Sequence, residues 1–109
     1  MINEKIFNFL GLAMRAGKVK TGESVIVSDM QKGNIKLVIL ANDASPNTTK
    51  LIKNKTSSYK VPLRVFGTRE ELGIALGKGE RVNVGITDQG FAKKLLSMIE
   101  EYREEWLYE

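Results

Sequence analysis

Four consecutive large aliphatics, Leu37, Val38, Ile39 and Leu40, constrain this chain more than any other stretch; Lys36 and Ala41 flank them, and Asn42, Asp43, Ala44, Ser45 and Pro46 follow at once. A half-solvated strand alternates apolar and polar residues, so an unbroken apolar run predicts a strand covered on both faces, and hence a central one. Ser45 followed by Pro46 predicts an N-cap and the first residue of a helix. A serine oxygen accepts from free N–H groups of the first turn, and proline lacks the N–H that would go unpaired there. A buried strand feeding a helix is the unit of α/β domains, where ligands gather beyond the carboxyl ends of the strands. Asn42 to Ser45 is therefore the first place to expect a site. The plain alternative is that Asn42 and Asp43 only turn the chain and cap the helix.

Helical spacing of Ile6, Phe9, Leu10 and Ala13 predicts a helix over 3–16, with Asn3 as N-cap and Gly17 as its stop. Val19 to Thr21 is a short strand. Gly22 then opens a segment ending at Gln31, Lys32 and Gly33, where a basic residue before a glycine marks a helix C-terminus. Val25, Ile26 and Val27 argue locally for strand, but length and the stop signal favour helix. The helix from Pro46 to Tyr59 is expected to turn Leu51, Ile52 and Tyr59 to the core and Lys50, Lys53 and Lys55 to solvent. Val61 to Phe66 is a strand, and Pro62 places it at an edge or strand start because proline donates no ladder hydrogen bond. Thr68 and Glu71 form a capping box opening a helix that Gly77 ends, with Leu72, Ala75 and Leu76 inside. Val82 to Ile86 is a strand and Asp88 caps the last helix, whose Phe91, Leu95, Met98, Ile99, Tyr102 and Trp106 share one face. The alternation αβαβαβαβα predicts one α/β domain over 1–109, a four-stranded sheet between layers of helices.

Absent residue types narrow the chemistry. The 109 residues contain no cysteine and no histidine, which removes disulfides, zinc–thiolate sites and the commonest general base and transition-metal ligand. No cofactor is expected. No apolar run approaches the ~18–20 residues that span a bilayer, and Glu4 and Lys5 interrupt the start, so no membrane partner or secretory signal is read and a cytoplasmic location is expected. The net charge of +4 conceals an asymmetry. Residues 1–99 hold sixteen of the seventeen Lys and Arg and eight of the thirteen acids, a net of +8, while residues 100–109 hold one Arg and five Glu, a net of −4. A basic body predicts a polyanionic partner, because attraction to a phosphate backbone accounts for such a charge directly.

Three loops collect the candidate chemistry: Lys18 to Ser24, Asn42 to Pro46, and Gly77 to Val82, each expected to join a strand to a helix. On a common edge, Lys18, Lys20, Lys78 and Arg81 offer cations to phosphates, while Gly22 and Gly79 let the backbone approach RNA closely. Glycines that only make turns, and lysines that only solvate the surface, are the competing reading. Neither a GxGxxG nor a Walker pattern is present, and Gly77-Lys78-Gly79 is too short for a phosphate cradle. Asp43 and Asp88 each follow a strand, and a minor reading makes Asp43 an enzyme's acid–base group. Helix capping accounts for both without a catalytic partner. Phe7, Phe9, Phe91, Tyr102 and Trp106 lie in amphipathic helices, so they read as packing and not as a stacking platform, which puts structured RNA ahead of single strands.

The runs Gly33 to Pro46, Val61-Pro62, Glu71 to Gly77 and Gly11 to Lys18 together resemble the kink-turn-binding ribosomal proteins (eL8/L7Ae-like), and within them the small bacterial YlxQ-like branch. The resemblance covers roughly residues 5 to 96. It implies a three-layer α-β-α sandwich with a mixed sheet, and an RNA-binding edge built from the same three loops. One departure stands out: where the strongest kink-turn readers of the family follow the loop glycine with Asn, Glu and Lys, the positions after Gly22 are Ser24, Val25 and Ser28. Valine accepts no hydrogen bond, and a serine hydroxyl is shorter than an amide. Glu23 lies one register early. The resulting expectation is a non-catalytic protein that binds structured RNA, of kink-turn or ribosomal type, in association with the ribosome or another ribonucleoprotein. Lys18, Lys20, Lys78 and Arg81 would contact phosphate; Gly22, Ser24 and Ser28 would approach by backbone and hydroxyl; Asn42 and Asp43 would shape the central loop. The alternative is a protein-interaction adaptor on the same fold whose RNA edge has decayed.

Overall fold

A computed structural model describes residues 2–107, with side-chain environments for residues 3–103. The chain runs α1 (Ile2–Arg15), β1 (Val19–Thr21), α2 (Glu23–Gln31), β2 (Leu37–Leu40), α3 (Pro46–Tyr59), β3 (Leu63–Val65), α4 (Arg69–Leu76), β4 (Asn83–Ile86) and α5 (Gln89–Leu107). The strands form one mixed sheet in the order β1-β4-β2-β3. β2 is central and buried at every position, as its unbroken apolar run requires. Leu37, Ile39 and Ala41 point to one face, where they pack with Val84 and Ile86 against Ile6 and Leu10 of α1, Leu72 and Leu76 of α4, and Leu95 and Ile99 of α5. Val38 and Leu40 point to the other, against Ile26 and Met30 of α2 and Ile52 of α3. The result is an α-β-α sandwich, with three helices on one side and two on the other.

Local chemistry sets the helix ends. Gly17 takes φ +74°, and Lys18 N–H donates to the Ala13 carbonyl while Gly17 N–H donates to Met14, so the last carbonyls of α1 are satisfied as the chain turns out. Gly33 closes α2 in the same way, through Asn34 N–H to Asp29 and Gly33 N–H to Met30. With both ends defined, the β-branched run of α2 forms helix: Ile26 is buried while Val25 is 45% exposed. Gly85 on β4 makes room for α2, since a Cβ there would lie 3.3 Å from Ile26 Cγ1 and 3.0 Å from Ile35 Cδ1.

Several local expectations change: Asn3 lies inside α1 and does not precede it as N-cap, and Lys55 is half-buried while Lys50 and Lys53 are exposed. Tyr59 is 40% exposed instead of facing the core, and Thr56 is buried in its place. The Thr56 hydroxyl donates to the Ile52 carbonyl at 2.8 Å, so its polar group is satisfied within the helix, whereas a buried phenol needs a partner outside it. The strand over 61–66 is shorter than expected, and Pro62 lies just ahead of it at the sheet's edge. Three aromatic pairs bear out the packing role of Phe7, Phe9, Phe91 and Tyr102: Phe7–Phe66, Phe9–Phe91 and Phe66–Tyr102, with centroids 5.0, 5.2 and 5.5 Å apart. The Trp106 side chain lies outside those described. No helix among the described residues is long and apolar enough to cross a membrane.

Candidate nucleic-acid interface

Strand direction decides which loops meet. β4 is antiparallel to both β1 and β2, with Val84 opposite Thr21 and Asn83 opposite Leu40, so the start of β4 lies beside the ends of β1 and β2. β3 is parallel to β2, with Val65 opposite Leu40, and ends there too. Four connections therefore share one end of the sheet: β1–α2, β2–α3, β3–α4 and α4–β4. The Gly77–Val82 loop enters from a helix into a strand, the reverse of the expected direction, and it reaches the common end because β4 alone starts there.

Main-chain hydrogen bonds join three of these connections, β2–α3, β3–α4 and α4–β4. Ala41 N–H donates to Val82 (2.8 Å), Asn42 N–H to Gly67 (2.8 Å) and Arg81 N–H to Arg69 (3.0 Å). Asp43 links the central loop to α4: its Oδ1 accepts from Arg69 N–H at 3.0 Å, and its Oδ2 lies 3.5 Å from Arg69 Nε. The Arg69 guanidinium also donates to the Asp43 carbonyl. Thr68 Oγ1 accepts from Glu71 N–H and Glu71 Oε1 from Thr68 N–H, completing the capping box at the same helix end. Ser45 Oγ accepts from Thr48 N–H at 3.2 Å as the N-cap of α3. The carboxylate of Asp43 is thus a structural acceptor, and that of Asp88 caps α5 by accepting from Phe91 N–H at 2.9 Å.

Between the loops lies an open pocket of about 600 Å³, lined by Thr21, Gly22, Glu23, Thr48, Glu80, Arg81, Val82 and Asn83. Gly22 has φ +99° and ψ 132° and accepts from Ile26 N–H, opening α2 with no side-chain cap. Nothing lies within 4 Å of where its Cβ would be, so the backbone there is bare toward solvent. Ser24, Val25 and Ser28 are exposed on the outer side of α2. Arg81 is half-buried, and its Nη1 donates to the carbonyls of Gly79 (3.1 Å) and Glu80 (2.9 Å), folding the guanidinium over its own loop. Lys78 is exposed beside it. Gly73 permits this loop to lie against α4, since a Cβ there would meet the Gly79 carbonyl oxygen at 2.3 Å.

Lys18 and Lys20 are placed elsewhere. Lys18 precedes β1, and its carbonyl accepts from Thr87 N–H at the far end of the sheet, roughly 13 Å of strand from Gly22. Val19 packs into the core beneath α1, α4 and α5, so the pleat turns Lys20 to the opposite face. There Lys20 lines a second pocket of about 360 Å³ with Asp29, Gly33, Asn34, Lys36 and Thr87. The common edge instead gains Arg69, Thr48 and Asn83, which the sequence reading passed over. For Asn83 a signal existed: a polar residue inside the apolar strand 82–86, and only 4% exposed. Arg69 offered none, because its partner Asp43 is 26 residues away.

Comparisons with known proteins give the family and the fold. Residues 4–96 match the model of the ribosomal protein L7Ae/L30e/S12e/Gadd45 family. The chain belongs to that family. Among L7Ae-family relatives, it is 46% identical over 94 residues to the RNA-binding protein YlxQ of Bacillus subtilis (strain 168), covering 86% of this chain and 94% of that one. It is 25% identical over 108 residues to the large ribosomal subunit protein eL8 of Thermoplasma volcanium, covering 94% and 89%. A protein of unknown function from Bacillus halodurans C superposes with a TM-score of 0.86 at 45% identity, over 88% of this chain and 97% of that one. The 15.5kD RNA binding protein of Giardia lamblia superposes with a TM-score of 0.78 at 19% identity, over 92% and 88%, a likeness of fold. The Bacillus subtilis and Thermoplasma relatives are named as an RNA-binding protein and a ribosomal protein.

Proposed function

We propose that this protein binds structured RNA of the kink-turn or ribosomal type without catalysing a reaction, in the cytoplasm and within a ribonucleoprotein. The observation that carries the reading is the convergence at one sheet end of Gly22 with the Asn42–Ser45 loop, Arg69 and Arg81, the last three joined by hydrogen bonds. A rigid edge of this kind offers bare backbone, hydroxyls and a few cations at set spacing, which suits RNA read through its backbone and shape. The YlxQ relative of Bacillus subtilis, named as RNA-binding, supports it. Gly22, Ser24 and Ser28 make the close approach, Lys78 and Arg81 contact phosphate, and Asn42 and Asp43 hold the central loop in place. Because Ser24, Val25 and Ser28 lack the reach of Asn, Glu and Lys, affinity rests more on phosphates than on base edges.

The test is charge reversal at Lys78 and Arg81, with circular dichroism as the check on folding and titration of a model kink-turn RNA as the readout. Affinity should fall and the salt dependence should become shallower by about 1 per lost phosphate contact. Unchanged affinity in the folded variant would reject this edge. The adaptor reading has one observation in its favour, an apolar groove of about 470 Å³ between α1 and α4 in which Leu12 (48%) and Ile74 (69%) stay exposed. It predicts a wild-type protein with no salt-sensitive RNA affinity at all.

A further inference from the structure

We infer that the solvent face of α3 is a second phosphate-tracking surface, which takes the backbone of an RNA arm running past the loop edge; this rests on the RNA-binding reading above. Pro46, Lys50, Lys53, Asn54 and Ser57 follow helical spacing on one side of α3 and are all exposed, while Ile52 and Thr56 on the other side are buried. The fourteen residues of α3 contain three lysines and no acid. An ordinary solvated helix face mixes both signs, and i,i+4 pairs then offset repulsion. Here Lys50 and Lys53 are one turn apart and repel each other, and neither forms an ion pair among the described residues. A polyanion laid along the face would relieve that repulsion.

Position argues for RNA as the polyanion. Ala44 of the central loop, Pro46, Thr49, Lys50, Lys53 and Asn54 line one open groove of about 520 Å³. The groove therefore begins at the loop edge and continues down the helix, placing Lys53 roughly 10 Å along α3 from Pro46. At the edge itself charge is nearly balanced, because Asp43 faces Arg69 and Glu23 and Glu80 line the pocket with Arg81. α3 supplies the unbalanced positive charge next to it. An RNA motif seated on the loops and continuing into a stem would lay its phosphates over Lys50 and Lys53.

Two RNAs and one double variant test this: a minimal kink-turn stem–loop, the same RNA with the stem toward α3 extended by a further helical turn, and K50Q/K53Q. Glutamine keeps the helix propensity of lysine and both sites are exposed, so the variant should fold. Wild type should bind the extended RNA more tightly than the minimal one. K50Q/K53Q should leave the minimal RNA within about twofold, weaken the extended RNA by about fivefold or more, and make its salt slope shallower by about 1.5 to 2. Equal affinity of wild type for the two RNAs, or no loss in K50Q/K53Q, overturns the α3 surface while leaving the loop edge standing. Failure of wild type to bind either RNA overturns both readings. Competition by polyglutamate as effective as that by the extended RNA would assign the lysine face to an acidic protein and overturn the inference.

Discussion

At the scale of single residues, two glycines and three side chains govern the loop edge. Gly22 leaves the backbone at the start of α2 bare, and Gly73 lets the Gly77–Val82 loop close over α4. An alanine at 73 would place its Cβ 2.3 Å from a main-chain oxygen that cannot rotate away. Gly73→Ala should therefore cost about 2 kcal/mol in chemical denaturation, more than the helix propensity it gains, and should lower RNA affinity by displacing Lys78 and Arg81. Gly79→Ala is the control, because its Cβ would meet only the tip of Arg81 at 4.0 Å, and it should leave stability nearly unchanged. Ser24, Val25 and Ser28 stand exposed after Gly22, at the positions where the family resemblance implies Asn, Glu and Lys in stronger kink-turn readers. The triple change Ser24→Asn, Val25→Glu and Ser28→Lys should tighten binding to a model kink-turn by about 2 kcal/mol, since each good polar contact to a base is worth about 1–3 kcal/mol. No gain in a folded triple variant would place these positions away from the base edges.

Elements are held in register by caps, some within the helix and one across the chain. The Thr68–Glu71 box and the Ser45–Pro46 start are local, and both were visible as short patterns in the sequence. Asp43 serves α4 from a different loop, accepting from the first amide of the helix while facing the Arg69 guanidinium. With the Asp43 side chain 44% exposed, the ion pair itself contributes little and the lost amide acceptor dominates. Asp43→Ala should cost about 1 kcal/mol and should speed hydrogen exchange at the Arg69 amide more than at core amides such as Ile39. Uniform acceleration across the sheet would mean that the loop and the core open together. The capping box was legible because its two members are one helical turn apart. The Asp43–Arg69 link was not, because it exists only once β2 and β3 lie side by side.

For the whole molecule, charge distribution follows from the path of α5. The helix starts at the far end of β4 and returns along the sheet, so that Tyr102 packs edge-on against Phe66, whose amide donates to Leu40 at the loop end. The acidic C-terminal stretch therefore begins on the loop side of the molecule, where Glu100 already pairs with Arg64 at 2.7 Å. Phosphate drawn to the +8 body meets repulsion from this quarter. Glu100→Gln with Glu101→Gln should raise RNA affinity about two- to threefold at low salt, and the gain should vanish as the Debye length shortens toward about 8 Å. Weaker binding after neutralisation would instead make the acidic stretch a contact with the partner.

Sequence alone determined what depends on neighbours within a turn or two: the central strand from four aliphatics, helix starts at Ser45 and Thr68, stops at Gly17, Gly33 and Gly77, and the exposure of Lys50 and Lys53 on α3. Periodicity and capping are local chemistry, satisfied by atoms a few residues apart, and so they can be read from a line of text. Tertiary structure decided which loops meet. β4 runs opposite to β1 and β2, which brings the Gly77–Val82 loop to the ends of those strands and leaves Lys18 at the other end of the sheet. The pleat of a three-residue strand turned Lys20 away from the face beneath Val19. Arg69 entered the edge through an aspartate 26 residues distant. Each of these depends on strand pairing over long separations, where the hydrogen bonds that choose direction and register are made by residues with no proximity in the chain.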